Sequence, residues 1–65
     1  MRLAIDLEKI CKNYNTSLVE LAEQTGIQRP NLSRIKRNRS ISLKSLGKIA
    51  HAVGETDITR LLIQE

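Results

Sequence analysis

A chain of 65 residues, 40% of them apolar, reads as one domain near the lower size limit for folding without a metal or disulfide, with no room for a second catalytic or effector domain. The net charge of +4 is modest but unevenly spread: Gln24 to Gly54 holds no acid and seven Lys or Arg, so that stretch is polarised towards a polyanion. A single cysteine excludes an internal disulfide and fits a reducing compartment. With Arg2, Asp6, Glu8 and Lys9 among its apolar residues the N-terminus lacks a signal-peptide pattern, and no apolar run approaches a membrane span, so a cytoplasmic protein with no membrane partner is expected.

The hydrophobic pattern is helical from end to end, with no period-two run of strand length and no Asn-Gly or Asp-Gly turn, which predicts an all-α domain of five short helices. With no Phe or Trp, the core falls to Leu, Ile, Val and Ala. A first helix is expected over about Leu3 to Asn13, where Leu3, Leu7, Ile10 and Tyr14 share a face bordered by Cys11. Asn13, Asn15 and Thr16 break it. Ser17-Leu18-Val19-Glu20 is a capping box that starts a second helix, with Leu18, Leu21 and Ala22 turned inward and Gly26 as its stop. A third helix of about Arg29 to Arg37 has Pro30 in its first turn, where a missing N–H costs nothing. Leu32 and Ile35 are its only strongly apolar residues. A helix so short and polar does not persist alone, so its neighbours must pin it while most of its surface stays open. Asn38 is the expected left-handed stop. Ser42 caps a fourth helix, about Leu43 to Val53, whose inner face is Leu43, Leu46, Ile49, Ala50 and Val53, with Gly54 ending it. Asp57 caps a last helix from Ile58 to about Ile63.

Residues 17 to 35 resemble the helix-turn-helix of the phage repressor and Cro-like family, often called XRE-like. The matching elements are Glu20-Leu21-Ala22, Gly26-Ile27 and Leu32-Ser33-Arg34-Ile35. Ser42-Leu43, Leu46, Ile49-Ala50 and Val53-Gly54 look like the family's fourth helix, so the resemblance spans about Leu7 to Leu62. It implies a lambda-repressor-like DNA-binding domain filling residues 1–65, with the helix-turn-helix at about 17–37. The spacing has a physical reason. Small Ala22 lets the third helix cross closely over the second, Gly26 permits the sharp turn, and Ile27 plugs the core behind it.

The resemblance further implies that the start of the third helix enters the major groove, where base edges are distinguishable. Carried over residue by residue, the base-reading positions are Gln28, Arg29, Pro30, Ser33 and Arg34. Arg29 and Arg34 are the strongest, because a guanidinium bonds guanine O6 and N7 together. Because a residue before proline avoids the α region, Arg29 is itself a candidate cap. Phosphate contacts are expected from Thr16 and Ser17 at the start of the second helix, from Asn31, and from Arg37, Arg39, Ser40 and Lys44. The sequence departs from the family at Leu18, where Gln is common, and at Lys36 and Asn38, where Glu and Gly are common.

These features imply a sequence-specific transcription regulator of double-stranded DNA, a repressor on a palindromic operator. A chain this small reads one half-site, so a homodimer is expected, with Ile58, Leu61, Leu62 and Ile63 closing the core and meeting a twin subunit. The same module serves activators and antitoxins, and a basic helix can instead dock an acidic protein. No enzyme, cofactor, metal or small-molecule ligand is expected. Cys11 and His51 lack the third group of a catalytic set and fall short of the three or four ligands a metal needs.

Overall fold

The computed structural model describes Arg2–Ile63. In chain order it runs β1 (Arg2–Ala4), α1 (Leu7–Asn13), α2 (Leu18–Thr25), α3 (Arg29–Asn38), β2 (Ser40–Ser42), α4 (Leu43–Val53) and a 3₁₀ turn (Ile58–Leu61). The helical class stands, with local corrections that each have a cause.

The first correction lies at the start of the chain. Asp6, in extended conformation, caps α1 by accepting from the Lys9 N–H at 3.2 Å, so the helix opens at Leu7 and not at Leu3. The residues before it pair antiparallel with β2, in the register Arg2↔Ser42, Leu3↔Ile41 and Ala4↔Ser40. The Ile5 N–H extends the ladder by donating to the Arg39 carbonyl at 3.1 Å. On the other side of β1, the Ile63 N–H donates to the Ala4 carbonyl at 3.0 Å, and Leu62 bridges Ile5. The two ends of the described chain thus satisfy each other's backbone groups. The sheet also places Ile5 and Ile41, both fully buried, in the floor of the core.

The helix-turn-helix follows the residues that announce it. Ser17 Oγ accepts from the Glu20 N–H at 3.2 Å, and Gly26, at φ 77°, closes α2 in the left-handed region. Gln28, not Arg29, caps α3, so Arg29 and Pro30 are its first two residues. The left-handed stop of α3 is Arg39 at φ 55°, one residue beyond Asn38, and its N–H bonds the Ile35 carbonyl at 2.8 Å.

Ser42 ends β2 and caps α4, accepting from the Ser45 N–H at 3.3 Å. Leu46, Ile49 and Ala50 of α4 are buried, whereas Leu43 is 50% exposed. A helical side chain leans over the turn N-terminal to it, and Leu43 at the first position has no such turn to cover. We expect Ser42→Ala to cost about 1 kcal/mol and to lower Tm by about 4–8 °C in a thermal melt. An unchanged melting curve would show that water replaces the cap at no cost.

The last expected helix is one 3₁₀ turn, capped as anticipated by Asp57, whose Oδ1 accepts from the Thr59 N–H at 3.0 Å. The chain then leaves helical geometry at Leu62 to join β1, which keeps the turn short. Its Leu61 joins Leu7 and Ile10 of α1, Leu21 of α2, Leu32 and Ile35 of α3, and the α4 residues in one apolar core. Tyr14 Oη donates to Glu55 Oε1 at 2.7 Å and ties the end of α1 to the exit of α4.

Candidate nucleic-acid interface

Leu32 and Ile35 are the only buried residues of α3. They seat the helix and leave the rest of it outward. At about 100° per residue, Pro30, Ser33, Arg34 and Arg37 fall on the face opposite that seat, while Arg29 stands to one side. All five are exposed, as is Gln28. The base-reading positions implied by the resemblance therefore share one open surface. Among the described residues the only ion pair is Arg39–Asp6, so neither Arg29 nor Arg34 is neutralised by a carboxylate among them. No side chain caps α3 and no acid sits in its first turn, so the positive end of its dipole is open. Pro30 and Arg29 also line a shallow groove with Val19, Ala22, Glu23 and Ile27, so the start of α3 borders α2 across a mostly apolar strip that holds one carboxylate.

The expected phosphate-contacting residues divide. Thr16 Oγ1 is buried and its N–H bonds the Cys11 carbonyl at 2.9 Å, so Thr16 offers the surface neither group. The Ser17 hydroxyl both accepts from the Glu20 N–H and donates to Glu20 Oε1 at 3.4 Å. That carboxylate occupies the start of α2, where a free helix end would have welcomed an anion. Asn31 and Arg37 are exposed on α3. Arg39 is also exposed, but its Nη2 lies 3.3 Å from Asp6 Oδ2. Ser40 is half-buried in β2.

Lys44 is exposed in the first turn of α4, which contains no acid. It borders a groove with Gln24, Thr25, Lys48 and His51 that no carboxylate lines. Lys48 and His51 were not among the expected contacts. Their signal was present, because Lys44, Lys48 and His51 are four and three residues apart and so share one helix face. Asp6 was also missed. Its partner is 33 residues away, beyond the reach of local spacing.

Of the four residues assigned to a twin subunit, Leu61 is only 3% exposed and belongs to the core. Ile58, Leu62 and Ile63 are half-buried, and they are the part of that set with surface to share.

The remaining chemistry is inert in placement. Burial pushes the Cys11 thiol up, the opposite of an activated nucleophile. The charges that act on it are those of Lys36, Glu20 and Glu8. Among the described residues no group of three His, Cys, Asp or Glu side chains is placed to hold a metal ion. No helix among them is long and apolar enough to cross a membrane.

Comparison with known proteins gives one match. A family model described as Helix-turn-helix covers residues 7–61, from the first residue of α1 to the last of the 3₁₀ turn. No curated protein and no solved structure matches.

Proposed function

The chain belongs to the Cro/XRE-like helix-turn-helix family of DNA-binding transcription regulators, and from that premise we propose that it is a sequence-specific repressor that closes on a palindromic operator as a homodimer. The observation that carries the reading is the open face of α3, with Arg34 opposite the buried seat and paired with no carboxylate among the described residues. In this reading the first turn of α3 and Arg34 face base edges, with Gln28, Arg29, Pro30 and Ser33 beside them. Asn31, Arg37 and Lys44, joined by Lys48, grip phosphate and set orientation. Ile58, Leu62 and Ile63 meet the twin subunit, and the buried Leu61 supports them from beneath. Two copies related by a two-fold axis place their α3 helices about 34 Å apart, one turn of duplex.

The test is selection of bound duplexes from a random pool, followed by binding to the enriched and to unrelated sequences across a salt series. An inverted repeat with half-site centres about 10 base pairs apart is expected, with two chains bound per site. Equal affinity for every duplex would overturn the repressor reading. Lys44→Ala should weaken binding to all sequences alike and make the log–log salt slope shallower by about 0.9, the contribution of one phosphate. An unchanged slope would remove Lys44 from the phosphate set.

A further inference from the structure

We propose that Asp6 holds Arg39 out of the phosphate-contacting set, so that the Asp6–Arg39 pair limits how tightly the protein grips any duplex. The inference rests on the DNA-binding reading above and concerns a residue of α1's cap that no charge run would single out.

Both ends of the contact are fixed by the backbone. Arg39 is the left-handed cap of α3: its N–H bonds Ile35 at 2.8 Å and its carbonyl accepts from Ile5 at 3.1 Å. Asp6 is held by its own capping bond, Oδ1 accepting from the Lys9 N–H at 3.2 Å, which leaves Oδ2 to meet Arg39 Nη2 at 3.3 Å. The pair therefore forms between anchored residues with little backbone freedom to lose.

Its position matters more than its strength. Asp6 and Arg39 line one groove together with Ser33, Lys36 and Arg37 of α3 and Leu18 at the start of α2. This groove joins the outward face of the recognition helix to the start of α2, the two places where duplex backbone is expected to pass. Arg39 stands in it 62% exposed at its side chain. Without Asp6, and with Glu8 of the same groove neutral, it is a free cation beside Lys36 and Arg37. With Asp6 its charge is cancelled inside the protein, and a cation already paired there displaces no counterion from DNA. An exposed ion pair adds little to folding stability, so the effect belongs to binding.

The experiment is a double-mutant cycle of Asp6→Asn and Arg39→Gln, read as duplex affinity between 50 and 200 mM salt. Asparagine caps helices about as well as aspartate, so α1 keeps its start, and a thermal melt checks this. Glu8→Gln is carried in every chain of the cycle, because Glu8 is the other carboxylate that lines the same groove. Asp6→Asn should steepen the log–log salt slope by about 0.9 and tighten binding to preferred and unrelated duplexes by the same factor. In the Arg39→Gln background it should leave the slope unchanged. No steepening, or equal steepening in both backgrounds, would overturn the proposal while leaving the DNA-binding reading intact. Absence of duplex binding by the unsubstituted protein would overturn both.

Discussion

Leu32→Ala is expected to remove a large part of the domain's stability. Leu32 is fully buried, and with Ile35 it forms the whole seat of α3. Truncating a buried leucine costs about 2–5 kcal/mol, because the lost transfer energy is joined by the cavity left behind. At about 0.05–0.15 kcal/mol per residue, a chain of 65 residues has about 3–10 kcal/mol in all. The substitution therefore consumes a fifth or more of the total, and where its cost exceeds that total it unfolds the domain at room temperature. Each kcal/mol shifts Tm by about 4–8 °C in a domain of this size, so the melting point should fall by more than about 10 °C. Thermal and urea melts followed by helical circular dichroism measure this. A fall of less than about 5 °C would show that the core closes over the gap and that α3 does not depend on this seat. Duplex binding should be lost along with the fold, since Ile35 is then the one buried side chain left to seat an otherwise polar α3.

The seat was legible because it is local. Apolar residues three apart on an otherwise polar helix leave one way to bury it, and Ser17, Gly26, Ser42 and Asp57 stop or start their elements as their chemistry dictates. What escaped is long-range. Leu3 and Leu7 fit a helical period, yet Leu3 and Ile5 with Ala4 between them also fit a strand, and three residues are too few to separate the two. Pairing with Ile41 decides the matter, and that partner lies 38 positions on in the register. The same blindness hid Asp6 beside Arg39. It also moved the stop of α3: Asn38 is the better intrinsic left-handed residue, but the bond from Ile5 to the Arg39 carbonyl ties the turn one position later. For the interface, the polar run of α3 announced an exposed surface, and those residues are exposed. The polarity of Thr16 says nothing of where its hydroxyl lies, and Oγ1 is buried.

The outward surface of α3 makes Arg34 the sharpest test of function. Arg34→Ala should weaken binding to the preferred duplex by about 1–3 kcal/mol, roughly 5- to 150-fold in Kd, and relax the preference at one base pair. Folding should change by less than about 0.5 kcal/mol, because the side chain is exposed and pairs with no acid among the described residues. This separates Arg34 from Leu32, whose loss acts on binding through the fold. Arg34→Lys then divides charge from shape. Lysine keeps the cation but lacks the planar fork that meets guanine O6 and N7 together. If Arg34 reads a base, the Lys variant keeps the wild-type salt slope yet loses discrimination at the same base pair as the Ala variant. If Arg34 grips phosphate, the Lys variant binds much like the wild type. The Ala variant then loses affinity equally on every duplex, and its slope is shallower by about 0.9. The second pattern would move sequence reading away from the face opposite the Leu32–Ile35 seat and onto the first turn of α3, where Arg29 stands to one side of it.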